Sequence, residues 1–260
     1  MGIPLRPLGK TGIELSLLGL GTVKFGRNTD VKYPNAFELP SDDAIVALLQ
    51  TAHALGINCL DTAPAYGIAE ERLGALLPEI DTHFQIISKV GESYHPDRGS
   101  QYDFSDRAIQ TSLESSLRAL NRDQLDVVLL HSDGQDVAHL ESGALHSLIK
   151  AKHAGLVKAV GLSGKTVEGG RLALAQGADV LMITLNPEAQ TEHALLADAE
   201  ASGAGILIKK ALGSGHLVDD LPTLFATLFA HPSVTSAIVG TTNATHLRHN
   251  CEALPKDPAP

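Results

Sequence analysis

Four side chains in this sequence have the types needed to move a proton to or from an oxygen atom: Asp61, Tyr66, Lys89 and His131. Each falls at or just after the end of an apolar, strand-like run. Asp61 and Tyr66 lie in CLDTAPAYG, Lys89 in FQIISKVG and His131 in LDVVLLHSDG. A lysine beside a phenol favours the ionised phenol, and a carboxylate keeps that lysine charged and in place. The phenol can then exchange a proton with a carbonyl oxygen that the imidazole also contacts. Taken singly, these residues have plainer readings as a loop anchor, a packed phenol or a core histidine. Lys89 resists such a reading, because burying an ammonium without a partner is costly. Their joint occurrence on three consecutive strand ends argues for chemistry.

The elements that must position them alternate along the chain. Strand-like runs lie near 16–22, 57–62, 84–89, 125–131, 157–163, 179–185, 205–210 and 235–240. Most are too uniformly apolar for a half-exposed sheet and suit strands covered on both faces. Helical patterns fall between them. SDDAIVALLQTAHALG starts on Ser41 as N-cap, carries acids in its first turn and closes at Gly56. SDRAIQTSLESSLRAL places Ile109, Leu113, Leu117 and Leu120 on one face. Further helices are expected in ALHSLIKAKHAG, TVEGGRLALAQG, TEHALLADAEASG and LPTLFATLFAHP, with a last one near 243–252. Acidic pairs such as Glu70–Glu71 read as solvated helix starts.

Eight strand–helix units predict an α/β chain folded as a (β/α)8 TIM barrel, one domain over residues 1–260. In such a barrel the carboxyl ends of all strands open on one face, which would gather the four residues into one cleft. A doubly wound sheet is the rival, but LGLGTVKFG lacks the GxGxxG spacing expected after its first strand. IPLRP and GIELS flank LGKT and predict a short N-terminal β-hairpin capping the barrel bottom.

Composition narrows the partners. Twenty basic against thirty acidic residues give a formal charge of −10, which disfavours nucleic acid. No run reaches transmembrane length without charges or glycines, and no signal peptide stands at the start. Cys59 reads as a core residue, nothing favours a disulfide with Cys251, and the usage fits a reducing cytoplasm. The histidines form no HExxH or Cys–His cluster, so no metal site is expected. The oligomeric state is left open.

These residues and their surroundings closely resemble the aldo-keto reductase family over nearly the whole chain. The resemblance is carried by RPLGKTGIELSLLGLGT, LDTAPAYGIAEERLGALL, IISK, LLH, VGLS, ALGSGHL and AIVGTTNATHLRHN. It implies a barrel that binds NADP(H), or NAD(H), without a Rossmann domain and transfers hydride between nicotinamide and a small carbonyl or alcohol. Asp61, Tyr66, Lys89 and His131 all match its catalytic positions. Tyr66 would then be the general acid/base, tuned by Lys89 and Asp61, with His131 orienting the carbonyl.

The same resemblance implies a cofactor site. Gly21, Thr22 and Asp61 would face the nicotinamide, with Ser163, Gly164 and Lys209 around it. Gly213, Ser214 and Gly215 would approach the diphosphate. Gly240, Thr241, Thr242, Asn243, His246 and Asn250 would hold the adenosine end, with Arg248 a further basic neighbour. Small and hydroxylated residues before a helix suit anions on physical grounds as well. Three positions depart from the family pattern. Gly164 and Met182 stand where Asn and Gln are usual, and Lys209 where an aromatic ring usually stacks on the nicotinamide. This altered clamp motivates the alternative of a catalytically weak NADP(H)-binding sensor or regulatory subunit on the same barrel. The inserts KFGRNTDVKYPNAFELP and YHPDRGSQYDFS are expected to shape the pocket.

Overall fold

A computed structural model describes residues 2–31, 36–80, 82–217 and 219–256. Part of the first insert and the end of the proline-rich tail fall outside them. Two short strands, β1 (Leu5–Pro7) and β2 (Glu14–Ser16), pair antiparallel at the start. Eight parallel strands then close on themselves. They are β3 (Leu18–Gly21), β4 (Cys59–Asp61), β5 (Gln85–Val90), β8 (Leu125–His131), β9 (Val157–Ser163), β10 (Val180–Thr184), β11 (Gly205–Lys209) and β12 (Val234–Val239). Between the third and fourth of these, β6 (Glu92–His95) and β7 (Gly99–Tyr102) make a separate antiparallel hairpin. The fold is the expected (β/α)8 barrel.

Burial on both faces explains the apolar strands. Inside the cylinder, Cys59, Ile87, Val127, Leu129, Ala159, Val180, Met182 and Leu207 form one cluster. Leu8, Ile13 and Leu15 from the N-terminal hairpin join it, closing the end where the strands begin. Arg6 fastens that plug by donating to the carbonyls of Phe229, His231 and Val234 at 2.8, 3.1 and 2.8 Å. Outside, a larger Leu-, Ile- and Val-rich layer lies between strands and helices.

The helices are α1 (Val23–Gly26), α2 (Asp42–Leu55), α3 (Ala69–Leu76), α4 (Asp106–Ala119) and α5 (Asp136–Glu141). They continue with α6 (Ala144–His153), α7 (Val167–Ala175), α8 (Leu195–Ser202), α9 (Leu221–Phe229) and α10 (Ala244–Glu252). Ser41 caps α2 by accepting from Ala44 N, and Gly56 ends it at φ 91°, as its sequence signals predict. The sequence reading named neither α1 nor α5, and marked α3 only by its acidic start at Glu70–Glu71. The six residues of α5 are too few to show a 3.6-residue period, and α3 follows directly on the Tyr66 turn.

Glu70 corrects another expectation. It is buried rather than solvated, accepting from Ser88 Oγ at 2.6 Å and Ser116 Oγ at 2.9 Å. Burial pushes its carboxyl up to about 7, against the opposing effect of those two hydroxyls. Among the described residues no helix is long and apolar enough to cross a membrane. Nor do they contain a group of three or more His, Cys, Asp or Glu placed to hold a metal ion.

Candidate active site

The register of the barrel aligns the strand ends. Gly21 pairs with Asp61, Lys89 with Leu129, His131 with Ser163, and Thr184 with Lys209. Side chains separated by seventy residues therefore open on one mouth. Tyr66 is brought there by a single turn of 3-10 helix over Pro64–Tyr66. That turn packs backbone to backbone on α1. A Cβ on Gly26 would lie 2.4 Å from the Tyr66 carbonyl and 2.2 Å from Ala69 N, so only glycine fits. Gly67 at φ 63° completes the reversal.

Lys89 is almost fully buried and its ammonium is completely engaged. Nζ lies 2.6 Å from Asp61 Oδ1, 2.9 Å from the Thr62 carbonyl and 3.1 Å from the Tyr66 hydroxyl. The phenol donates in turn to Asp61 Oδ2 at 3.3 Å. Asp61 and Lys89 form a buried ion pair whose geometry leaves the phenol oxygen between the two charges. His131 stands edge-on to the Tyr66 ring, with centroids 6.2 Å apart and planes at 81°. All four residues line a cleft of about 630 Å³. They are the four that the sequence singles out, in one place.

The cleft also receives residues of the two inserts expected to shape it, together with Glu92, which sequence reasoning missed. Glu92, Ser100 and Tyr102 enter from the β6–β7 hairpin, and Arg27 and Asp30 from the loop after α1. Arg27 stacks 3.5 Å from the Tyr94 ring centroid, and Tyr94 OH reaches Thr29 Oγ1 at 2.6 Å and Asp30 Oδ2 at 3.0 Å. The two inserts thus brace each other as one rim. The signal for the hairpin was present: ESYH and GSQY flank the turn residues PDR. Glu92 Oε2 lies 2.8 Å from His131 Nδ1, and its Oε1 accepts from Ser100 Oγ at 2.5 Å. The imidazole and hydroxyl partners hold the Glu92 carboxyl down at about 2, overriding the upward push of burial. Burial holds the imidazole below its ordinary value, with Lys89 and Lys209 adding to it and Glu92 opposing.

The expected cofactor residues divide into two groups. Gly21, Asp61, Ser163, Lys209, Ser214, Gly215 and Gly240 line the cleft. Thr22, Gly164, Gly213, Thr241, Thr242, Asn243, His246 and Asn250 do not. Thr22 is a buried strut, donating from both N and Oγ1 to the Asp61 carbonyl. Asn243 is the N-cap of α10, its Oδ1 accepting from Thr245 N and His246 N. His246 is exposed, as is Arg248, while Asn250 is buried.

The glycine loop of the mouth is left-handed throughout. Gly213, Ser214 and Gly215 follow one another at φ 55°, 61° and 98°, with Gly213 N and Gly215 N donating to the Lys210 and Leu212 carbonyls. The opposite end is altered. Lys209 Nζ donates to Ser163 Oγ at 3.1 Å and to the Gly164 carbonyl at 2.5 Å, while Met182 offers no hydrogen bond to an amide. Burial brings the Lys209 ammonium down to about 8.

The parallel barrel and its carboxylate–ammonium–phenol mouth define a class of oxidoreductase scaffold. The model of the aldo/keto reductase family matches residues 17–221, and this chain belongs to that family, whose members act on small-molecule carbonyl compounds. It is 28% identical to a D-threo-aldose 1-dehydrogenase of a Pseudomonas species, over 81% of this chain and 70% of the relative. It is 26% identical to a 6-dehydroglucose reductase of Agrobacterium fabrum, over 93% of this chain and 90% of that one. A solved structure from Pseudomonas aeruginosa, classed provisionally as an aldo-keto reductase, superposes with a TM-score of 0.87. The two chains are 46% identical, with 96% of this chain and 93% of that one covered.

Proposed function

We propose that this protein is an NADP(H)-dependent oxidoreductase that reduces aldehydes or ketones to alcohols, or runs the reverse. The observation that carries the reading is the Tyr66 hydroxyl, held 3.1 Å from the Lys89 ammonium and 3.3 Å from Asp61 at the open end of the barrel. When bound, the reduced nicotinamide cofactor supplies hydride to the carbonyl carbon. Tyr66 gives its proton to the carbonyl oxygen, and the phenolate left behind is stabilised by Lys89. Asp61 keeps Lys89 charged and pointed at the phenol. His131 contacts the same oxygen from the other side. Gly21, Ser163 and Lys209, which line the cleft, would flank the nicotinamide. The Gly213–Gly215 loop would take the diphosphate, and Thr241, Thr242, Asn243, His246 and Asn250 would frame the adenosine end.

The relatives named above act on an aldose and a dehydroglucose. The rim of Arg27, Asp30, Glu92, Ser100 and Tyr102 offers the hydrogen bonds that a polyhydroxylated carbonyl compound needs. We place the enzyme in the cytoplasm as one barrel domain, since both its cysteines are free and buried.

The test is a titration of NADPH against NADH, followed by a substrate screen that includes free aldoses. Absorbance of the reduced cofactor is followed for the wild type and for Tyr66→Phe. We expect turnover that falls by about 100-fold or more in the variant, with cofactor affinity retained. No binding and no turnover would contradict the reading. A second reading is a cofactor-binding sensor, favoured by Lys209 already occupying Ser163 Oγ and the Gly164 carbonyl. Tight NADPH binding with no turnover, unchanged by Tyr66→Phe, would select it.

A further inference from the structure

The β6–β7 hairpin, outside the barrel, also brings a carboxylate directly against the candidate catalytic imidazole. Glu92 Oε2 stands 2.8 Å from His131 Nδ1. That nitrogen is shielded from solvent, and among the described residues no group meets it at hydrogen-bond geometry, so the Glu92 carboxylate acts on it as a close charge. Two facts fix what the nitrogen must carry. Ser100 donates to the other carboxylate oxygen at 2.5 Å, which favours the ionised form of Glu92. An ionised oxygen at 2.8 Å would repel a bare nitrogen lone pair and attracts a proton on that nitrogen.

We propose that Glu92 is a positioning residue that fixes His131 as the Nδ1–H tautomer, so that the neutral imidazole turns a bare, proton-accepting Nε2 to the cleft. The tautomer follows the group that the second ring nitrogen faces, here a carboxylate at 2.8 Å. A neutral His131 in this form accepts a hydrogen bond from a substrate hydroxyl. It cannot donate one to a carbonyl oxygen. Donation to a carbonyl requires the imidazolium, in which both nitrogens carry protons, and Glu92 is the group that supports that charge. The titratable groups around the imidazole are Glu92 and Tyr102 from the hairpin, Tyr66 and Asp61 from the second strand and its loop, Lys89 from β5 and Lys209 from β11. Glu92 raises the affinity of the ring for a proton, and both lysines lower it. The same carboxylate therefore sets the tautomer and the pH at which His131 changes from acceptor to donor. Its effect on turnover rests on the oxidoreductase reading; the tautomer does not.

The experiment is nitrogen-15 NMR of the labelled imidazoles in the full chain without cofactor, with His131 assigned by its loss in His131→Gln. The expected spectrum shows His131 protonated at Nδ1 at pH above its midpoint. In Glu92→Ala it should revert to the common Nε2–H form. In Glu92→Gln, which keeps shape and loses charge, the midpoint should move to lower pH, while Glu92→Asp should stay closer to wild type. Kinetics give a second readout. Carbonyl reduction should fall as pH rises through the His131 midpoint and alcohol oxidation should rise, with both limbs moved to lower pH in Glu92→Gln. An Nε2–H wild type, or a midpoint that ignores the loss of the Glu92 charge, overturns the proposal whether or not turnover is found.

Discussion

Two lysines face each other across the barrel mouth, on β5 and β11, with three strands between them in either direction. Lys89 is paired: its ammonium meets Asp61 at 2.6 Å, a carbonyl and the phenol. Among the described residues Lys209 bonds only to a hydroxyl and a carbonyl, and burial pulls it down to about 8 against the opposing charge of Glu192. One wall thus holds a fixed, compensated charge, and the other a desolvated charge that can be given up. The difference teaches where this chain is committed and where it is adaptable. A buried pair is expensive to break on one side, because the partner is left as an isolated ion. Lys209 makes no close ion pair among the described residues, so its removal costs the buried Glu192 carboxylate only a longer-range attraction.

The largest effect that would sharpen this contrast is expected from Lys89→Met. Leaving Asp61 buried and unpaired should lower stability by about 3–5 kcal/mol, with activity reduced by about 100-fold or more. Adding Asp61→Asn should recover part of the stability and none of the activity. Denaturant unfolding and turnover measure the two separately. Equal losses in single and double variants would mean that the pair is not a unit.

Glu70 lies behind the same wall, bonded to Ser88 beside Lys89. Its folded-state value is raised from 4.5 to about 7, so the folded protein holds a proton that the unfolded chain has released. Its contribution to stability is therefore complete below about pH 4.5 and is lost as pH rises through about 7, by up to about 3 kcal/mol. Glu70→Gln should flatten that slope in unfolding measured at several pH values; an unchanged slope would remove Glu70 as its source.

Smallest is Lys209→Met. Because Lys209 is lowered from 10.5 to about 8, its charged form burdens the fold below about pH 8. That burden is relieved as pH rises toward the unfolded value. Relative to the variant, wild type should gain stability between about pH 8 and 10.5. A loss like that of Lys89→Met would break the comparison.

The architecture was legible because it repeats. Strands buried on both faces read as apolar runs, and Ser41 and Gly56 mark helix ends by local chemistry that tertiary packing does not override. The four candidate residues were legible because strand ends are fixed by those runs. What was hidden depends on contacts across the chain. Glu92 is a polar residue in a polar stretch, and only the hairpin turn brings it to His131. Glu70 looked like any acid at a helix start, until Ser88 and Ser116 closed over it. Asn243, assigned to the cofactor from its sequence, also caps α10 with its side chain. A local cap and an anion-binding residue have the same sequence signature.

The most direct test of the central claim is an ultraviolet titration of the Tyr66 phenol, isolated as the difference between wild type and Tyr66→Phe. The same difference is then taken on the Lys89→Met background. If the ammonium at 3.1 Å supports the phenolate, the phenol should ionise at distinctly higher pH once Lys89 is gone. An unmoved titration would show that Lys89 does not govern the Tyr66 proton, and the proposed chemistry would lose its acid.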